Sequence, residues 1–564
     1  MNVGSIRLCR IWLSLPSPEG RRYFPRTMHY ARLAFLGAVL ASACRATTAP
    51  TPEPTSAPRA PAATALPPIP LVQGPLAPRV VYPQANQMIQ SKDSTFILGS
   101  VGNGRASLSI NGQPVPVQPN GAFLGYVPNP LPTTPQYDLV AVLGADTVRV
   151  TQPVRVAGML QLLPDSLRPP PPPPAIVVDT TPAWVVLGDS VSVQQDTDRV
   201  VIGRPGPNET YRWFLFPGTR AQLTARYPGY ARVRLDSSLE IWVAAVDAKT
   251  FAFDTLTPRR IAGNSRVRSN GDYSDLIIPI AERPAFFVEE TERAIEVTLY
   301  DTRGNTDLVN YPTTDSLIKH VEWAQELGDR VRYTVHLNQA PYGYLTLYEN
   351  GAFVLRVRRK PARPKVIADP AVRAPVVSSL WGLTIAIDPG HPPAGATGPT
   401  GLYEADAVLP VAFILKRILE QRGASVVMTR TTRDVVDLYM RPVIARRANA
   451  HALVSLHYNA YGDGINPLRQ PNGTETYFYR PHAEPLARAV QSTVAVLQPL
   501  PDQGVYYRSL AIARTTWMPS ILVEGGFIII PEQENAMKTE PYQERYARAV
   551  ADGLEAYFRA LRAP

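Results

Sequence analysis

The sequence has almost no cysteine. Among 564 residues there are two, Cys9 and Cys44, and both precede any stretch able to build a core. A disulfide framework and a cysteine-based metal site are thereby excluded from the body of the protein. Histidine is scarce as well, with seven residues, so each one repays placing. The apolar stretch 33–40 falls far short of the roughly 20 residues that a bilayer span needs. A concentrated basic stripe is also missing. The net charge of +10 is scattered along the chain, so no nucleic-acid partner is expected. That balance suits the acidic polymers of a cell envelope, or equally a solvated basic surface with no dedicated partner.

Proline, by contrast, is abundant. Its 59 residues exceed the roughly 5% of average usage and point to extended linkers and loop-rich β domains. The length is too great for one core, and several domains are expected. Residues 1–44 read as an export segment, with Met28 the expected start of translation. A short basic region at 28–32, the apolar stretch 33–40 and the small residues Ala41, Ser42 and Ala43 follow one another in the order of such a segment. It resembles a bacterial lipoprotein signal, which implies lipidation at Cys44 and a membrane anchor. Ala41 stands where such signals usually carry leucine, and an ordinary signal peptidase cutting at the same bond would release a soluble protein. Either way the chain is expected to be exported to the periplasm or cell envelope.

Residues 45–76, rich in Ala, Pro and Thr, form the expected tether. Residues 77–157 alternate as short strands punctuated by Asn111-Gly112 and Asn120-Gly121, which predicts a small sandwich similar to immunoglobulin-like modules. A Pro-rich linker is expected over 158–180, including six consecutive prolines from Pro169 to Pro174. An SH3-like β domain is expected over 181–262 and a further β-rich unit over 263–361. The position of this last unit resembles that of wall-targeting domains placed before bacterial amidases. His320 and His336 lie here without a second ligand at metal spacing and read as structural or solvated. A linker over 362–382 leads into the last domain, 383–562.

That domain alternates apolar strand runs with helical stripes. Helices are expected over 405–422, 441–449, 485–496 and 541–561, and strands over 425–428, 475–479 and 520–523. The fold class is therefore multidomain, with N-terminal all-β modules followed by an α/β domain whose mostly parallel sheet is flanked by helices. Three of its strand ends carry chemistry. The first runs Leu383-Thr-Ile-Ala-Ile-Asp-Pro-Gly-His391. The second is Ala452-Leu-Val-Ser-Leu-His457-Tyr-Asn459, and the third Ser520-Ile-Leu-Val-Glu524-Gly-Gly-Phe527. In open α/β sheets the working residues sit past the carboxyl ends of the strands.

A catalytic zinc takes three ligands from His and Asp/Glu and leaves a fourth position to water. His391 follows a Pro-Gly turn, and the glycine-rich loop 395–401 is long enough to fold Glu404 back beside it. His457 completes a His2Glu set, and Glu524 is placed to take a proton from water. Glu404 has a plainer reading as a residue favouring the positive end of its helix. Glu524 does not, because an unpaired carboxylate after Ile521-Leu-Val523 would cost several kcal/mol. His451 reads as structural and His482 as a solvated loop residue.

Together with Thr384–His391, Glu404, Met428-Thr-Arg430, Arg441, Ser455–Asn459 and Leu522–Phe527, these residues resemble the zinc-dependent N-acetylmuramoyl-L-alanine amidases over about 383–560. The resemblance implies Zn2+ held by His391, Glu404 and His457, Glu524 as general base, and Asn459 and Arg514 as substrate-binding residues. The implied partner is peptidoglycan, cut between N-acetylmuramic acid and the stem-peptide L-alanine. The alternatives are a non-catalytic peptidoglycan-binding protein and a zinc hydrolase of another amide. Pro392-Pro393 stands where the family usually has a second glycine. Some members insert an inhibitory helix after the second histidine strand. Here 460–473 is too short for one, so no activator protein is expected.

Overall fold

The computed structural model describes residues 65–156, 175–188, 200–250, 259–312, 315–362 and 378–563. The export segment with Met28 and Cys44, most of the tether and the six-proline run lie outside the described residues. No helix among the described residues is long and apolar enough to cross a membrane.

Among the described residues, three β units precede the last domain. In the first, a three-stranded antiparallel sheet (Arg79–Tyr82, Ser94–Ser100, Ala122–Pro128) and a four-stranded one (Ser107–Ile110, Gln113–Val115, Gln136–Leu143, Asp146–Pro153) enclose a core of Ile97, Leu108, Phe123 and Leu139. Asn111 and Gly112 both take positive φ, the geometry of a tight hairpin turn. The second unit is a five-stranded sheet with a two-stranded companion, built on Val185, Trp213, Leu223 and Ile241. Its first strand, Val177–Leu187, starts inside the stretch expected to be linker. The third unit stacks a five-stranded sheet on a four-stranded one around Leu276, Val297, Tyr333 and Leu355.

The C-terminal domain holds strands β1 (Thr384–Pro389), β2 (Ser425–Met428), β3 (Ala452–Asn459), β4 (Thr474–Phe478), β5 (Asp502–Tyr507) and β6 (Ser520–Phe527). Its helices are α1 (Glu404–Gln421), α2 (Met440–Arg447), α3 (Glu484–Leu497), α4 (Pro531–Met537) and α5 (Glu540–Leu561). The sheet order is β2-β1-β3-β6-β4-β5. Only the β4–β6 pairing is antiparallel; the other four are parallel. Val408, Val411, Leu415 and Leu419 recur at helical spacing and form the buried face of α1. The helix stops at Gly423, whose left-handed φ of 84° lets the chain turn into β2. From β1 the chain moves outward to β2, then returns to the other side of β1 as β3. The crevice between β1 and β3 is thus a topological switch point, the usual place for a site in such sheets.

The β units are packed against this domain. Phe96, Leu98 and Leu124 of the first unit share one apolar cluster with Ile385, Val454 and Phe527. Arg358 of the third unit donates to the carbonyls of Asn449 and Ala450, and Tyr342 donates to that of His451. His482, expected to be solvated, is instead buried and held by Glu290 of the third unit at 2.8 Å. The domain contact that covers it lies 192 residues away in sequence.

His451 is structural, as the sequence indicates: its Nδ1 accepts from the Thr384 N–H at 3.0 Å. Burial and then the Arg358 charge push its pKa down from 6.5 to about 4. The unfolded chain therefore takes up the proton first. The stabilisation is complete above pH 6.5 and is lost as pH falls toward 4. His451→Gln should flatten the decline of the urea midpoint across that window, and an unchanged decline would contradict the assignment.

Candidate active site

The turn after β1 is held by two buried arginines. Arg430 donates from Nε to the Pro389 carbonyl and from Nη2 to those of Gly390 and Ala405, each at 2.8 Å. Arg441 donates to Asp388 Oδ1 at 2.8 Å, to the Pro389 carbonyl at 3.0 Å and to the Pro392 carbonyl at 2.7 Å. Asp388 in turn accepts from Thr429 Oγ1 and from Ser455 Oγ. This network fixes the backbone on both sides of His391, which itself sits at a positive φ of 55°.

Glu404 opens α1 with its carboxylate buried between the two histidines. Its Oε2 lies 3.2 Å from His391 Nε2, and its Oε1 lies 2.9 Å from His457 Nδ1. The Ala396 and Tyr458 N–H groups donate to the same carboxylate at 3.0 and 3.1 Å. The imidazoles meet edge to face, with ring centroids 4.9 Å apart. Burial works against the Glu404 anion, but the hydrogen bonds from His391 and His457 hold its pKa well below the carboxylate range. Burial would likewise lower His391, and the Glu404 hydrogen bond and charge outweigh it, so His391 is raised.

The loop between His391 and Glu404 is pinned from behind by Glu534 of α4. This buried carboxylate accepts from the Thr400 N–H at 3.1 Å, Thr400 Oγ1 at 2.8 Å and the Leu402 N–H at 3.2 Å. Gly390 is needed for space. A Cβ there would lie 2.3 Å from the His457 ring. Gly390→Ala should fold yet lower metal affinity by about 10–100-fold, the range for displaced ligand support. Unchanged metal binding by dialysis would refute that reading.

Glu524 stands next to His457 in register across β3 and β6, and next to Glu475 across β4. Tyr546 and Tyr542 of α5 donate to the carbonyls of Val523 and Gly525 on either side of it, at 2.8 and 2.6 Å. Glu524 is buried, and its Oε2 has no hydrogen-bond partner among the described residues. Burial first, then the Glu404 and Glu475 charges, raise its pKa well above the ordinary value. Glu475 is not legible as a site residue in the sequence. It is buried too, accepts from Tyr477 at 2.6 Å and from Asn459, and is raised by burial.

The structure thus brings His391, Glu404, His457 and Glu524 to one place. One ligand atom from each of the first three lies within 4.8 Å of the others. The donor set fits a divalent transition ion: two imidazoles, one deprotonated carboxylate, and an orphaned buried acid that a cation would stabilise. Asn459 is drawn in through Glu475. Arg514 is not. Its guanidinium lies over Tyr211 and Phe214 of the second β unit at 5.0 and 5.8 Å and donates to the Ser509 carbonyl. The cavity it lines with Arg212, Arg480 and Trp517 includes none of the four site residues. Contrary to the sequence expectation, His320 and His336 do have a third potential ligand, Glu322, brought beside them by strand pairing.

An open α/β sheet with this trio at its switch point has the make-up of a metal-dependent hydrolase domain. Residues 385–556 match the sequence profile of the N-acetylmuramoyl-L-alanine amidases, and this C-terminal domain belongs to that family. The chain is 32% identical over 200 residues to the N-acetylmuramoyl-L-alanine amidase LytC of Bacillus subtilis, covering 34% of this chain and 39% of that one. It is 32% identical over 185 residues to the probable cell wall amidase LytH of Staphylococcus aureus, covering 32% and 60%. The chain therefore spans less than two thirds of these curated relatives. Among solved structures, the amidase AmiC2 of Nostoc punctiforme is 35% identical, with a TM-score of 0.30 over 31% of this chain and 97% of that one.

Proposed function

We propose that the C-terminal domain is a zinc hydrolase of peptidoglycan that cleaves the amide between the lactyl group of N-acetylmuramic acid and the L-alanine of the stem peptide. The observation that carries this reading is the meeting of His391, Glu404 and His457 beside the buried, unpartnered Glu524. His391, Glu404 and His457 would hold the ion. When bound there, Zn2+ supplies Lewis acidity toward the scissile carbonyl and lowers the pKa of water.

The chain's own groups do the rest. Glu404 keeps both imidazoles oriented and stays anionic. Arg430 and Arg441 fix the turn that presents His391. Glu524 Oε2 accepts the proton of the attacking water and returns it to the leaving amino group of L-alanine.

On the same reading the protein is exported and works at the cell envelope in wall remodelling, including separation of daughter cells. Cys44 is its candidate lipid anchor, and the β units hold the domain to the wall. Among the described residues, the one helical element within 460–473 is the three-residue 3-10 turn Pro467–Arg469, which is in keeping with activity without an activator protein. Incubation with purified peptidoglycan should expose new L-alanine amino termini and no new reducing sugar ends. Reducing ends, or binding with neither product, would overturn the amidase reading.

A further inference from the structure

In the third β unit, strands Ile318–Leu327 and Arg330–Leu337 pair antiparallel, with His320 directly opposite His336 and Glu322 opposite Thr334. Residues two apart on a strand share a face, and directly opposed residues share it as well. His320, Glu322 and His336 consequently stand together. The other face of these strands is committed to the core through Val321, Tyr333 and Val335.

The contact geometry is specific. The two imidazoles stack, with centroids 4.2 Å apart and planes 16° from parallel. Glu322 reaches both, with Oε1 at 3.2 Å from His320 Nε2 and Oε2 at 3.5 Å from His336 Nε2. His336 Nε2 is closed off from solvent and makes no hydrogen bond among the described residues. One ligand atom from each of the three residues lies within 4.8 Å of the others. A proton shared between Glu322 and one ring would leave the second ring with a poor partner. A cation at the common point serves both rings and the carboxylate at once.

The geometry points to a second metal site, in which His320, Glu322 and His336 bind a divalent transition ion on the outer face of this sheet. Two imidazole nitrogens with one carboxylate and no thiolate suit Zn2+, Ni2+ or Cu2+ rather than Mg2+ or Ca2+. The ion would cross-link two neighbouring strands of the sheet. Three ligands from the protein leave a further position open to solvent. The site shares no residue with the His391–Glu404–His457 trio, and the inference does not rest on the amidase reading.

The test counts metal in the full chain. The protein, carrying no polyhistidine tag, is stripped with chelator, re-equilibrated with Zn2+ alone and analysed by atomic emission. Wild type should hold two zinc ions per chain. His320→Ala/His336→Ala should hold one and keep its activity on peptidoglycan, while His391→Ala/His457→Ala should hold one and lose activity. The same zinc content in wild type and in His320→Ala/His336→Ala would overturn the proposal and leave a carboxylate-bridged histidine pair. Should that variant not fold, carbethoxylation of wild type decides the matter. Zn2+ should protect both His320 and His336 from the reagent, and equal labelling with and without Zn2+ would count against the site.

Discussion

Glu524→Gln is expected to lower turnover on peptidoglycan by about 10²–10⁴-fold, the usual worth of a positioned general base. Zinc content and apparent substrate affinity should stay as in wild type. The amide keeps the shape of the carboxyl group but cannot accept the proton. Stability is expected to separate from activity in this variant. The carboxyl is buried, its Oε2 is unpartnered, and burial with the Glu404 and Glu475 charges already disfavours its anion. The metal-free Glu524→Gln protein should therefore unfold at a denaturant concentration no lower than wild type. Activity within tenfold of wild type would remove Glu524 from the reaction.

Arg441→Met carries the largest expected cost to the fold. Arg441 and Asp388 are each almost fully buried and bonded at 2.8 Å. Removing one partner of a buried pair costs about 3–5 kcal/mol, because the other charge is left uncompensated. The carbonyls of His391 and Pro392 lose this donor as well, and that of Pro389 keeps only Arg430, so the turn that presents His391 loosens. Urea titration should show the loss, with zinc affinity falling by about 10–100-fold. Arg441→Met/Asp388→Asn should be less destabilised than Arg441→Met alone, since the orphaned charge is then gone. If the double variant loses the sum of the two single effects, the pair does not act as a unit.

These two residues also mark what the sequence could disclose. Glu524 ends an apolar run in which a bare carboxylate has no bland explanation. His391 and His457 are similarly placed at the ends of β1 and β3. Glu404 was legible through the glycine-rich loop that returns it. All four depend on short-range pattern plus one rule about strand ends. Glu475 was missed because it lies on β4, which enters antiparallel to β6, and nothing local shows which strand it will face. Glu534 was missed because its partners, Thr400 and Leu402, are more than 130 residues away. The surroundings of His482 and of the His320–Glu322–His336 trio are illegible in the sequence for the same reason. A domain contact and a cross-strand register decide them, and neither is written in neighbouring residues. Arg514 was expected at the substrate but packs on Tyr211 and Phe214, because the second β unit reaches the catalytic domain there.

The packing of Phe96, Leu98 and Leu124 into the catalytic domain's apolar cluster makes the full chain the right object for the decisive measurement. It is incubated with purified peptidoglycan, with Zn2+ and with chelator, beside Glu524→Gln, and the released fragments are read by mass. Zinc-dependent release of stem peptides that begin at L-alanine is expected, lost with chelator and in Glu524→Gln. Fragments cut at any other bond, or the same release under chelation, would contradict it.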